Sequence, residues 1–236
     1  MSLQRNSLIS SIKEVLFPRA CVVCGRRLQA DEDCLCIQCQ MDMPRTGYEL
    51  SPYDNELARL FWGRFPIERA ASLIYYQPHS EASRFIYSLK YGRRPDIGRM
   101  MGRWIAQEFR EEGFFEDVDV IIPVPLTKRR KHQRGYNQST EIARGLSEET
   151  GIIVAENALQ RVRFDESQTQ KKAVERLENV ENAFSLSDAV AVRGKHILLV
   201  DDVVTTGATL TACAKELMKA GDCRFSILVL GYSKPQ

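Results

Sequence analysis

His196-Ile-Leu-Leu-Val-Asp-Asp-Val-Val-Thr-Thr-Gly-Ala-Thr-Leu210 opens as an apolar run and closes as a turn of hydroxyls and glycine. A short continuous run of β-branched and aliphatic residues fits a fully buried strand. That strand delivers two carboxylates, Asp201 and Asp202, at its end. The turn Thr205-Thr-Gly-Ala-Thr209 then leads into a helical pattern. The first amides of a helix lack intrahelical partners, so such a turn is a ready anion site. Gly207 has no Cβ, and the backbone there can approach a phosphate closely. Paired carboxylates can accept hydrogen bonds from two vicinal hydroxyls. The whole suits a ribose carrying a 5′-phosphate. The fingerprints Gly-x-Gly-x-x-Gly and Gly-x-x-x-x-Gly-Lys are both absent, which weakens a dinucleotide or nucleoside-triphosphate reading.

Strand and helix patterns alternate on either side of this stretch. Ala70–Tyr76, Asp119–Pro125 and Phe225–Leu230 read as strands, the second stopped by two prolines. Ser80–Leu89, Ile97–Phe109, Glu141–Thr150 and Thr209–Lys219 read as helices, with Gly151 and Gly221 as stops. Glu56–Trp62 reads as a short amphipathic helix, and Lys128–Arg134 as a basic loop. Met101 and Trp104 fall at helical spacing with Ile97, Ile105 and Phe109, which suits core packing. The predicted class is α/β, a mainly parallel sheet flanked by helices. In such sheets ligands bind at the carboxyl ends of the strands, where the prolines and the Asp pair both arrive.

Ahead of this domain stand two knuckles, Cys21-Val-Val-Cys24 and Cys36-Ile-Gln-Cys39. Four thiolates at this spacing can close a tetrahedral structural zinc site with no open position for catalysis. Cys34 could substitute for Cys36 or remain a spare thiol; the regular spacing favours Cys36. Cys213 and Cys223 read as small core residues. The linker falls at Pro44–Pro52, giving a zinc-binding module over 1–46 and a main domain over 47–236.

With 44% hydrophobic and 27% charged residues and a formal net charge of +2, the composition is that of a globular protein without a global field for nucleic acid or membrane. No apolar run is long enough to cross a bilayer, and the first residues lack a secretory pattern, so a cytoplasmic location is expected. His79, His132 and His196 show no partner spacing that would mark an acid or base.

The stretch from His196 resembles the phosphoribosyl-diphosphate (PRPP) motif of the type I phosphoribosyltransferases. The two knuckles, Leu89-Lys-Tyr-Gly92, Pro123-Val-Pro-Leu126 and Arg134-Gly-Tyr-Asn-Gln138 extend the likeness over most of the chain. Together they resemble the ComF/GntX family, bacterial proteins with a zinc module before a phosphoribosyltransferase-like domain. Leu159–Phe184 is similar to the flexible catalytic loop of amidophosphoribosyltransferases, and 160–178 is the candidate lid. The resemblance implies a 5′-phosphate on Thr205, Thr206, Gly207, Ala208 and Thr209, and ribose hydroxyls on Asp201 and Asp202. It implies a magnesium-bound diphosphate near Pro125–Thr127, met by cations drawn from Lys90, Arg129, Arg130 and Arg134.

Three functions remain open at this level. The first is transfer of a phosphoribosyl group from PRPP to a nitrogenous acceptor, such as a nucleobase. The second is a PRPP sensor or a single-stranded-DNA-handling protein, since ComF relatives are linked to DNA uptake. Lys128–Arg134 and Tyr136 would supply charge and stacking for that role. The third is an adaptor that docks a protein partner, such as a competence protein, through the zinc module.

Overall fold

A computed structural model describes residues 19–162 and 183–234. The apolar run His196–Val200 is fully buried and forms the first half of strand β6 (His196–Val204). It takes its place in a five-stranded sheet with β1 (Ile67–Tyr75), β2 (Val120–Pro123), β3 (Ile153–Val154) and β7 (Arg224–Tyr232). The order is β1-β7-β6-β2-β3, and every neighbouring pair is parallel. Strands buried on both faces read as continuous apolar runs, which is why β2, β6 and β7 show no alternation.

From β6 the chain moves to β7 on one side; from β2 it moves to β3 on the other. The strand order therefore reverses between β6 and β2, and a crevice opens there at the carboxyl ends. Ile122 pairs with Leu199 and Pro123 with Val200, so the proline-stopped strand ends one step before Asp201.

The helices are α1 (Ile37–Met41), α2 (Glu56–Arg59), α3 (Ser83–Tyr91), α4 (Pro95–Arg110), α5 (Lys128–Arg134), α6 (Gln138–Thr150) and α7 (Ala208–Leu217). In α4, Ile97, Met101, Ile105 and Phe109 are all buried, as their spacing predicts. Helices α4 and α6 cross at Gly102 and Gly145. A Cβ on either would meet the other helix's backbone, at the carbonyls of Ile142 and Arg99. Backbone contact this close fixes the height of α6 over the sheet, and α6 carries site residues.

Three local expectations change. Lys128–Arg134 is a helix and not a loop, started by Thr127, whose Oγ1 accepts from the Arg130 amide, and stopped by Gly135 in the left-handed region. It has no apolar face, so periodicity could not reveal it. The helix expected over Glu56–Trp62 stops at Arg59 and continues as turns. An antiparallel pair, β4 (Leu159–Arg161) with β5 (Phe184–Leu186), was not anticipated. Its strands are too short and polar to carry a period. The rest of the lid candidate, 163–178, lies outside the described residues.

Among the described residues, no helix is long and apolar enough to cross a membrane.

Candidate functional site

Beyond β6 the chain turns through Thr205-Thr206-Gly207 into α7. Gly207 is the residue before the helix and has φ 73°. A Cβ there would lie 2.6 Å from Cε1 of the Phe61 ring. Glycine is required twice over, by the left-handed backbone and by the ring beneath it. Asp201 at the strand end and the stretch Val203–Leu210 line a small cavity of about 50 Å³. Thr205 and Thr206 are exposed at its rim. Arg64 reaches over from the segment after α2 and donates to the Thr206 carbonyl at 3.1 Å.

The two carboxylates have different surroundings. Asp201 accepts from Ser139 Oγ at 3.0 Å and from the Asp202 amide at 2.8 Å. Burial and the adjacent Asp202 carboxylate raise the Asp201 carboxyl to about 7. Asp202 instead faces Lys90, whose Nζ lies 3.3 Å from Oδ1. Lys90 offsets only a small part of the rise at Asp201, where burial and the neighbouring carboxylate dominate.

Arg134-Gly-Tyr-Asn-Gln138 wraps this crevice. Arg134 donates to Gln138 Oε1 at 2.8 Å and stands over the Tyr91 ring at 5.6 Å. The Tyr136 hydroxyl donates to the Leu89 carbonyl. Asn137 caps α6 through Ser139 N–H and donates to the Val124 carbonyl at 2.9 Å. The motif thus joins α3, α5, β2 and α6 around the carboxylates. Tyr136 is held inward by this bond and packed on the core, so the stacking surface expected of it is corrected. The exposed rings nearby are Tyr87 and Tyr91, one helical turn apart with centroids 4.8 Å apart.

The structure brings Lys90, Asp201, Asp202 and Thr205–Thr209 to the end of β6, with Arg134 bonded to the α6 residue beside Ser139. Arg130 is exposed on α5. Sequence reasoning overlooked Ser139, Phe61 and Arg64. Ser139 directly follows the Arg134–Gln138 motif, so it was within reach. Phe61 and Arg64 meet the turn from more than 140 residues away, and no local pattern marks them.

His196 is fully buried and shares a 2.8 Å hydrogen bond with Ser226 through Nε2. Burial holds its pKa below the ordinary value, so it is a neutral core residue at the opposite end of β6 from the carboxylates.

A second cluster lies in the N-terminal module. Sγ atoms of Cys21, Cys24, Cys36 and Cys39 all fall within 4.8 Å of one another, and Cys24 and Cys36 are 3.7 Å apart. Zn–S bonds of about 2.3 Å at tetrahedral angles separate sulfurs by about 3.8 Å, so the donor set fits a metal ion such as zinc. Cys34 stands apart, its thiol 3.6 Å from Asp96 Oδ2. Burial and that carboxylate push it up to about 11, so it stays a thiol.

The phosphoribosyl transferase domain family matches residues 90–236. The DNA utilization protein YhgH of Escherichia coli O157:H7 is 33% identical over 204 residues, 85% of each chain. Competence protein F of Haemophilus influenzae is 29% identical over 214 residues, 85% of this chain and 91% of that one. Among solved structures, the glutamine PRPP amidotransferase from B. subtilis is similar with 25% identity and a TM-score of 0.41, over 59% of this chain and 30% of that one. The chain belongs to this phosphoribosyltransferase family, and within it to the ComF-type proteins that set a four-cysteine module ahead of the transferase-like domain.

Proposed function

We propose that this protein binds PRPP at the carboxyl end of β6 and transfers its phosphoribosyl group to a nitrogenous acceptor, such as a nucleobase, releasing pyrophosphate. The observation that carries the reading is the junction of Asp201, Asp202 and the Thr205–Thr209 turn beside the strand-order reversal. The turn amides and threonine hydroxyls hold the 5′-phosphate. The carboxylates accept from the ribose hydroxyls. Lys90, already paired with Asp202, joins Arg130 and Arg134 as cations for the diphosphate.

In the reaction the bond from ribose C1 to the diphosphate oxygen breaks and its electron pair leaves with pyrophosphate. The acceptor nitrogen forms the new bond to C1 and gives up a proton to the departing pyrophosphate. Positive charge grows at C1, where Asp201 and Asp202 oppose it; negative charge grows on the leaving group, where the arginines do. Magnesium would arrive with PRPP and neutralise part of the diphosphate charge.

Zinc is the ion proposed for the four cysteines, where it would fold a module with little apolar core. The division into 1–46 and 47–236 follows the same logic, and so does a cytoplasmic setting, where clustered thiols stay reduced.

Phosphorus NMR of Mg–PRPP with the pure protein and a mixture of nucleobases and ammonia tests the activity. Pyrophosphate appearing only with an acceptor is the expected result. Intact PRPP with every acceptor would refute transfer.

A second reading, single-stranded DNA handling, has one observation in its favour. Exposed Tyr87 and Tyr91 pack against each other at a tilt, and Arg134 of the basic helix α5 stands over Tyr91, a charged and aromatic surface of the kind that holds single strands. Relatives named for DNA utilization and competence suit it, as would competence-protein partners. A fluorescence titration with an oligonucleotide at low salt would detect it; flat signal there removes this reading.

A further inference from the structure

The segment 55–65 lies against the turn before α7 and is anchored at both of its ends. At its start Asn55 Nδ2 donates to the Ser51 and Ala70 carbonyls at 3.0 and 2.8 Å, and Glu56 pairs with Lys234 at 2.9 Å. At its end Phe61 and Phe65 are buried with centroids 5.5 Å apart, and Phe65 meets Phe225 of β7 edge-on. Between the two rings Gly63 turns the chain at φ 74°, and the Arg64 amide donates to the Phe61 carbonyl at 3.0 Å. The backbone of Arg64 is therefore fixed, although its side chain is exposed.

The guanidinium holds one particular peptide group, through the 3.1 Å bond from Nη1 to the Thr206 carbonyl. The peptide between Thr206 and Gly207 is trans, so its carbonyl and the Gly207 N–H point in opposite directions. Among the described residues, that N–H has no hydrogen-bond partner and is free to meet an anion. Glycine accepts φ of either sign, so Gly207 permits this peptide to flip as readily as it permits the observed orientation. A flip would turn the carbonyl oxygen toward the anion in place of the N–H. The charge-assisted bond from Arg64 opposes that flip.

We propose that Arg64 is a positioning residue of the turn: by holding the Thr206 carbonyl it keeps the Gly207 amide aimed at a phosphomonoester. The role rests on the 5′-phosphate reading of the turn. It is filled from outside residues 90–236, the part that the transferase family matches.

Two measurements on the full-length protein test it. One is nitrogen relaxation dispersion at the Gly207 amide without ligand, which reads motion on the microsecond to millisecond scale. The other is calorimetric titration with ribose 5-phosphate and, as a ligand without a ribose phosphate, Mg–pyrophosphate. Wild type should show a flat dispersion profile. Arg64→Gln should show exchange at Gly207, bind ribose 5-phosphate about tenfold more weakly and keep Mg–pyrophosphate within about twofold. Arg64→Lys, which keeps a cationic donor, should recover most of the affinity. Unchanged ribose 5-phosphate affinity in Arg64→Gln overturns the proposal. Weaker binding with a flat profile also overturns it, because Arg64 would then contact the phosphate and not position the turn. Equal weakening of both ligands with a lowered melting temperature would reduce Arg64 to a fold-stabilising residue. If wild-type protein binds no ribose 5-phosphate, the phosphate reading of the turn fails first and takes this role with it.

Discussion

Asp201 concentrates the conflict between stability and binding in this protein. Its carboxyl titrates near 7 in the folded chain, against 3.8 for an ordinary aspartate, because burial and Asp202 disfavour its charge. Between those values the folded state keeps a proton that the unfolded state releases. Stability therefore falls as pH rises from about 4 to about 7, then levels. Asp201→Asn keeps an oxygen for Ser139 Oγ and the Asp202 amide but removes the charge. It should stabilise the protein by about 1–3 kcal/mol at pH 8, with the gain shrinking toward pH 4. Thermal melts across that range check it; a variant less stable than wild type at pH 8 would contradict the account. Gly207→Ala should act the other way. Its Cβ meets the Phe61 ring at a positive φ, so it should cost about 1–3 kcal/mol and abolish ribose 5-phosphate binding in the same titration used for wild type.

At the scale of elements, the site depends on helix positions set some distance away. Helix α6 brings Ser139 to Asp201 and Asn137 to Val124, and its height is set where Gly145 meets α4. Gly145→Ala places a methyl against the Arg99 carbonyl and must push the helices apart. A loss of about 3 kcal/mol is expected in denaturant unfolding, together with weaker PRPP binding. The basic helix α5 and the β4–β5 hairpin were the least legible elements. One lacks an apolar face; the other has three-residue strands whose pairing joins segments 20 residues apart and more. By contrast, β2, β6 and β7 were readable because burial on both faces leaves unbroken apolar runs.

Across the whole molecule, the cysteine module is tied to the main domain by specific polar contacts. Arg84 donates to the Val23 carbonyl at 3.0 Å, Cys34 reaches Asp96, and Arg45 makes a bidentate pair with Glu108 while stacking on Trp104. Within the same module four sulfurs lie at metal-binding distances from one another. Elemental analysis should find one zinc per chain, and its removal by a strong chelator should lower the melting temperature. Protein purified without added zinc that contains no metal would exclude this role. The knuckles, the Asp pair and the Thr/Gly turn were legible because each is a short motif whose chemistry demands those residue types. Phe61 and Arg64 beneath and beside the turn were not, because their part is decided by packing across the fold.

The central claim, that the end of β6 is a PRPP site, is tested most directly by calorimetric titration of Mg–PRPP into wild-type protein and the Asp201→Asn, Asp202→Asn double variant. Saturable binding to the wild type, lost in a folded double variant, is the predicted result. Equal affinity in both, with the fold intact, would contradict it.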